Sequence, residues 1–121
     1  VVFGRAGQRE ACVRDFGHVE DLAEAHRLVL EALRPGEGRA YNIGSGSGTT
    51  VMQVLRACER AVEREIAHEV VDRRPGDPGV LVADPTRLKT DLGWTPTRSD
   101  IDTIVTSAWR WHVHHPQGYA Q

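Results

Sequence analysis

Cysteine is scarce in this sequence of 121 residues: Cys12 and Cys58 stand alone, with no Cys-x-x-Cys spacing. Two isolated thiols are read as small apolar residues in a reducing compartment, so we expect a cytoplasmic protein. Long hydrophobic runs are also missing, so no segment is expected to cross a membrane. The net charge of −2 gives no support to nucleic acid or a membrane surface as a partner.

Residue patterns that support catalysis are missing as well. The tyrosines are Tyr41 and Tyr119, neither is followed four residues later by a lysine, and Lys89 is the only lysine. No Gly-Lys-Ser/Thr sequence marks a P-loop, and no nucleophile elbow supports serine–histidine chemistry. The side chains can therefore bind a ligand, but we predict no catalytic residue in this chain.

Short strand patterns alternate with amphipathic helix patterns, which predicts a layered α/β fold. A length of 121 residues suffices for one domain but not for two. The predicted strands or extended segments cover residues 12–19, 39–43, 66–71 and 80–83. The predicted helices cover residues 20–33, 51–62 and 85–92, and a last helix runs from about residue 99 to 115.

Capping residues and apolar periodicity support these helices. The pair Thr50/Gln53 starts the second helix, and the pair Ser99/Asp102 starts the last. In the third helix Asp84 is the expected N-cap and Gly93 the expected stop. The faces expected to be buried are Leu22, Ala25, Val29 and Leu33 in the first helix, and Ile101, Ile104, Val105, Ala108 and Trp111 in the last.

A glycine-rich loop at residues 44–48 lies between a predicted strand and a helix, as in a dinucleotide-binding fingerprint. Its third glycine comes one residue too early for Gly-x-Gly-x-x-Gly, and Arg73 and Arg74 crowd Asp72, the would-be ribose carboxylate. We therefore favour a strand-to-helix turn over a cofactor-binding loop.

The stretch Arg73–Asp77 combines two guanidiniums, a Pro-Gly turn and a carboxylate. An Arg fork matches a phosphate bidentately, and a carboxylate accepts hydrogen bonds from sugar hydroxyls. One turn could thus hold the phosphate and the ribose of a nucleotide. The alternative is a solvated surface turn in which Asp77 pairs with an arginine.

Three histidines cluster near the C-terminus, at His112, His114 and His115. His112 and His115 could share a helix face and bind a metal, but no cysteine or carboxylate joins them. We favour solvated histidines at a helix end and predict no metal site.

Several motifs together resemble those of the UDP-glucose 4-epimerases, which are extended short-chain dehydrogenase/reductases. The motifs are Val-Arg-Asp-Phe-Gly-His-Val-Glu-Asp-Leu-Ala at 13–23, Tyr-Asn-Ile-Gly-Ser-Gly at 41–46, Arg-Arg-Pro-Gly-Asp at 73–77, Ala-Asp at 83–84, Leu-Gly-Trp at 92–94, Trp-x-Trp at 109–111 and His-Pro-Gln-Gly-Tyr at 115–119. They follow the family's order and cover nearly the whole chain from Val13 onward.

The resemblance implies that residues 1–121 form the C-terminal substrate-binding portion of such an enzyme, with the N-terminal Rossmann half absent. In the family, the arginines matching Arg14 and Arg74 contact the diphosphate of the UDP-sugar, and the aspartate matching Asp77 contacts the ribose. NAD serves the full-length family, but its glycine loop and its catalytic Ser, Tyr and Lys belong to the missing half. We therefore expect no NAD bound to this chain, and a UDP-sugar and a separate Rossmann half as partners.

The sequence also departs from the family. Phe16 replaces the usual Tyr, Gly17 replaces a bulky aliphatic residue and leaves apolar space unfilled, and residues 5–11 do not match the usual acidic loop. Three hypotheses stay open at this point. They are the substrate-binding part of an epimerase-like isomerase that is inactive alone, a non-catalytic nucleotide-binding module, and a truncated remnant without function.

Overall fold

A computed structural model describes residues 2–4, 12–72 and 74–119, and it confirms the mixed α/β class. The strands are β1 (Val2–Gly4), β2 (Val13–Arg14), β3 (Thr49–Thr50), β4 (Val70–Asp72) and β5 (Val80–Leu81). The helices are α1 (Val19–Ala32), α2 (Val51–Val62), α3 (Thr86–Leu92) and α4 (Ile101–His114). No helix within these described ranges is long and apolar enough to span a membrane.

The strands form two small sheets. In the first, β1 pairs in parallel with β4, so that Val2 faces Val70. In the second, β2 lies in the centre, antiparallel to β3 and parallel to β5. Every predicted strand that forms is shorter than its apolar pattern, because only the residues with a neighbouring strand are paired.

The strand predicted at residues 39–43 is wrong: no strand is assigned there. A strand needs a neighbour to which its backbone can bond. The part of the chain that the structure describes places no other strand beside this segment. Tyr41 and Ile43 instead pack against the core through their side chains.

The main cluster of the hydrophobic core is small and consists of Ala25, Leu88 and Trp94, each at most 2 % exposed. Ala25 comes from α1 and Leu88 from α3, so the core joins these two helices. Leu88 is 0 % exposed, and the larger Trp94 side chain is 2 % exposed.

The predicted buried face of α1 is only half correct. Ala25 is buried and Val29 is partly buried, but Leu22 and Leu33 are 41 % and 43 % exposed. The short helix α3 covers only part of α1, and the buried stripe begins at Asp21 instead of Leu22.

The N-terminus of α1 is capped by His18, which is buried. Its Nδ1 accepts a hydrogen bond from the Glu20 amide at 3.1 Å. Its Nε2 lies 3.0 Å from the Ser107 hydroxyl, which itself donates to the Ile104 carbonyl. Because Nδ1 accepts and that hydroxyl proton is already used, Nε2 donates to Ser107, which is the hydrogen-bond pattern of the Nε2–H tautomer.

The capping prediction for α2 and the predicted stop of α3 are confirmed, but the predicted N-cap of α3 is wrong, because Pro85 and not Asp84 is its N-cap. Thr50 and Gln53 form the reciprocal capping box of α2. Asp84 accepts a hydrogen bond from the Thr86 amide at 2.9 Å, although the helix begins one residue later than predicted. Gly93 ends α3 with a φ of 67°, a left-handed conformation that glycine adopts readily.

The start predicted for α4 is wrong, because Asp100 is the N-cap instead of Ser99. The Ser99 hydroxyl is engaged elsewhere: it donates to Asp21 Oδ2 at 2.6 Å and accepts from the His18 amide. Helix α4 packs against α2, but none of its described residues is buried, and Ala108 of the predicted face is exposed.

Candidate functional site

Arg14 lies at the end of β2 and reaches the turn that carries the other two predicted site residues. Its Nη1 donates to the Pro78 carbonyl at 3.0 Å, across 64 residues of sequence, and to the Val13 carbonyl at 2.7 Å. Pro78 follows Asp77 directly. The structure therefore brings Arg14 to the edge of the 74–77 turn.

The turn itself is closed by its own residues. The Asp77 amide donates to the Arg74 carbonyl at 3.2 Å, and Gly76 takes a φ of 86°. Arg74 Nε lies 3.2 Å from Asp77 Oδ2, with the Arg74 side chain 64 % exposed. Asp77 therefore pairs with Arg74, as expected for the alternative in which this stretch is a solvated surface turn. Arg73 lies outside the described residues.

Asp15 is a functional candidate that sequence reasoning missed. Its Oδ1 accepts hydrogen bonds from the Ser45 amide at 2.9 Å and the Ser45 hydroxyl at 2.6 Å. Its Oδ2 accepts from the amides of Gly46 and Ala83, both at 3.2 Å. We call this group the Asp15 cluster. It joins the end of β2 to the glycine loop and to the chain after β5.

The glycines of the loop are needed for close packing. A Cβ on Gly44 would lie 2.4 Å from Asp15 Oδ2 and 2.7 Å from the Ala83 Cβ. A Cβ on Gly48 would lie 2.3 Å from a Val13 methyl group. Real Cβ atoms do not approach so closely, so only glycine lets this loop lie against β2.

This packing bears on NAD, the cofactor that the family resemblance implies. A dinucleotide loop offers its backbone amides to the pyrophosphate. Here the Ser45 and Gly46 amides already donate to the Asp15 carboxylate, which would also repel a phosphate. The first turn of α2 is capped by Thr50. The glycine loop therefore does not fit NAD. It is also not the strand-to-helix turn that we favoured, because no strand forms at 39–43 and β3 lies between the loop and α2.

A second carboxylate collects four hydrogen bonds at the start of α1. Asp21 is 6 % exposed; its Oδ1 accepts from the Thr97 amide and hydroxyl, and its Oδ2 accepts from the Arg98 amide and the Ser99 hydroxyl. Burial raises its pKa, but these hydrogen bonds outweigh burial and hold the pKa below the ordinary value. This Asp21 cluster joins α1 to residues 97–99.

The C-terminal histidines contact aromatic and backbone groups. His115 stacks on Trp111 with ring centroids 4.9 Å apart, and His114 Nδ1 lies 2.7 Å from the Arg110 carbonyl. Among residues 2–4, 12–72 and 74–119, no group of three or more His, Cys, Asp or Glu side chains could hold a metal ion.

Gly17 lies beside open space: a Cβ there would meet only the Ser99 hydroxyl, at 3.9 Å. An open and mostly apolar groove of about 530 Å³ adjoins it, lined by residues 17–20, by α4 and by Tyr119. The unfilled space expected from the loss of a bulky side chain is therefore present.

Comparison with known families places the chain in a class. The family model described as GDP-mannose 4,6 dehydratase matches residues 5–107. This match covers most of the 121 residues, and the chain belongs to that family.

Particular relatives are UDP-glucose 4-epimerases, which confirms the resemblance. The enzyme from Halalkalibacterium halodurans is 41 % identical over 98 % of this chain and 36 % of its own length. The Corynebacterium glutamicum enzyme is 46 % identical over 80 % of this chain and 30 % of its own length. The chain thus spans about a third of the curated relatives it matches.

Solved structures agree with the sequence relatives. The UDP-glucose 4-epimerase of Bifidobacterium longum, in complex with NAD+ and UDP, superposes with a TM-score of 0.85 at 32 % identity. That match covers 98 % of this chain and 36 % of the other. Another UDP-glucose 4-epimerase gives a TM-score of 0.87 at 40 % identity, over 99 % of this chain and 37 % of its own. The family is thus one of epimerase-like nucleotide-sugar proteins, in which NAD-bound members are known.

Proposed function

We propose that residues 1–121 are the UDP-sugar-binding part of a UDP-glucose/UDP-galactose 4-epimerase-like isomerase, the C-terminal substrate-binding portion of its fold. Arg14 and Arg74 hold the diphosphate, and Asp77 accepts hydrogen bonds from the ribose. The observation that carries this proposal is the hydrogen bond from Arg14 to Pro78, because it draws two predicted phosphate ligands to one turn.

The chemistry of the three groups supports this assignment. A guanidinium is charged at any working pH and donates paired hydrogen bonds to phosphate oxygens. Arg74 is well exposed, so a phosphate can reach it from solvent. Its contact with Asp77 orients both side chains before a ligand arrives, and a UDP-sugar would have to share or displace that contact.

Epimerisation is assigned to the assembled enzyme and not to these residues alone. The chain has no Tyr-x-x-x-Lys pair, and its glycine loop does not fit NAD. We expect turnover only when a Rossmann half that brings the cofactor is present. A coupled assay with NAD and UDP-galactose tests this, and turnover by the purified chain alone would contradict it.

The binding assignment is tested by titrating the purified chain with UDP and following its ¹H–¹⁵N spectrum. Without the rest of the cleft we expect a Kd on the order of millimolar. Arg14→Ala or Arg74→Ala should raise that Kd about tenfold or more, because each removes charge-assisted bonds to phosphate.

Two control variants make the titration decisive. Arg34 follows α1, whose 14 residues span about 20 Å, so Arg34→Ala should leave UDP binding unchanged. Arg73→Ala should weaken binding less than Arg74→Ala, since the family resemblance assigns the contact to the second arginine. Equal losses from the Arg73→Ala and Arg74→Ala variants would refute the assignment, as would an equal loss from Arg34→Ala.

A further inference from the structure

We infer that Asp15 is a positioning residue: its carboxylate fixes the register between β2 and β5 and thereby holds Arg14 at the edge of the 74–77 turn. The inference deepens the proposed function, and its ligand-binding part rests on that proposal. Its geometric part concerns the chain alone and can be tested without UDP.

Register is the weak point of this part of the fold. The pairing of β2 with β5 covers only two residues on each strand, Val13 with Val80 and Arg14 with Leu81. So short a ladder specifies its register poorly, and burial contributes little to it on the β5 side, because Val80 and Leu81 are 66 % and 58 % exposed.

The side chains of Arg14 in β2 and of Asp15, the residue after β2, contact the chain at both ends of β5. Arg14 donates to the carbonyl of Pro78, two residues before β5 begins. Asp15 accepts from the amide of Ala83, two residues after β5 ends. If β5 slipped by one residue against β2, the Pro78 carbonyl and the Ala83 amide would both move away from their partners. Because the two contacts lie at opposite ends of β5, together they oppose a slip in either direction.

The Asp15 carboxylate can act as a fixed point because it is itself anchored on another side. Its Oδ1 is held by the amide and hydroxyl of Ser45, and Gly46 adds a bond to Oδ2. Gly44 lets the carboxylate approach the backbone more closely than any Cβ would allow. The Ala83 bond therefore ties β5 to a carboxylate that three other hydrogen bonds hold in place, and not to a freely rotating side chain.

The test compares two isosteric substitutions, Asp15→Asn and Asp21→Asn. Each turns a carboxylate that accepts four hydrogen bonds into an amide that places an NH₂ group against donors. Both variants should lose stability, so stability cannot distinguish them. Only the Asp15 cluster, however, touches the chain around β5.

The first measurement is made without ligand. In Asp15→Asn the Arg14 Nε–H resonance and the backbone amides of residues 79–81 should shift, because β5 loses one of its two fixed ends. In Asp21→Asn these resonances should stay in place while those of residues 97–99 shift. Unmoved Arg14 and 79–81 resonances in folded Asp15→Asn would overturn the inference.

If Asp15→Asn does not fold, Ser45→Ala replaces it. That change removes only the hydroxyl bond to Oδ1. The Arg14 Nε–H resonance and the backbone amides of residues 79–81 should then shift, but less than a one-residue change in the pairing of β2 with β5 would shift them. Ser45→Ala spectra that match the wild type at these positions would also overturn the inference.

The second measurement is UDP binding by the same variants. Asp15→Asn should raise the Kd about tenfold, as displacement of one charge-assisted contact does, and Asp21→Asn should change it less than about twofold. Failure of the proposed function can be distinguished from failure of the positioning role. If the proposed function is wrong, Arg14→Ala leaves UDP binding unchanged, whatever the ligand-free spectra show. Weaker binding in Arg14→Ala together with unchanged binding in Asp15→Asn would refute the positioning role alone.

Discussion

Replacing Asp21 by asparagine tests how far one buried carboxylate stabilises the chain. One amide oxygen can keep two of the four hydrogen bonds, and the Ser99 or Thr97 hydroxyl can turn to accept from the new NH₂ group. One backbone amide, that of Thr97 or Arg98, then faces a donor and loses its partner. Loss of that bond and of the charge on the others costs about 2–4 kcal/mol.

The same cluster predicts how this loss depends on pH. The pKa of Asp21 in the folded chain lies below its ordinary value of 3.8. A lowered carboxylate pKa contributes stability that is fully present above the unfolded pKa and is lost as the pH falls through the folded pKa. Asparagine does not titrate, so the stability difference between wild type and Asp21→Asn should shrink below about pH 4.

Urea unfolding of both proteins at pH 7, 5, 4 and 3 measures this difference. At pH 7 the free energies of unfolding should differ by about 2–4 kcal/mol, which corresponds to roughly 8–16 °C in Tm for a chain of this size. A difference that is the same at pH 3 as at pH 7 would refute the reasoning, because the charge of Asp21 would then contribute nothing.

Three further predictions follow from the packing and the caps. Gly48→Ala should destabilise the chain by about 1–3 kcal/mol in urea unfolding, since its Cβ has no room, whereas Gly38→Ala, with nothing within 4 Å, should change stability little. Leu88→Ala should cost about 2–5 kcal/mol in the same assay because Leu88 is fully buried, and a loss below 1 kcal/mol would contradict the core described above. Long-range ¹H–¹⁵N correlation should find His18 in the Nε2–H form near neutral pH, and the Nδ1–H form would contradict the cap.

Local signals in the sequence predicted the helices well. The Thr50/Gln53 box and the Gly93 stop act within one turn of their own helix, so the sequence contains everything they need. Ser99 failed as a cap for the opposite reason. Its hydroxyl is engaged by Asp21, 78 residues away, and no local pattern reports such a partner.

The same limit applies to the site. Motif resemblance selected Arg14, and the structure adds that Arg14 reaches the Pro78 carbonyl. The motif resemblance did not select Asp15, because a carboxylate in an extended segment is ordinarily solvated. Two of the amides that donate hydrogen bonds to Asp15 lie 30 and 68 residues away in the sequence. The spacing of the glycines indicated that the loop packs closely, but it did not identify β2 as the element against which the loop packs.

The parallel pairing of β1 with β4 has a consequence for synthesis of the chain. Val2 pairs with Val70, so 68 further residues must be translated after Val2 before this pairing can form, which takes roughly 3–14 s at about 5–20 residues per second. During that interval β1 lacks its β4 partner, although Val2 is buried in the finished structure. The pairing of β1 with β4 therefore forms late relative to the synthesis of β1.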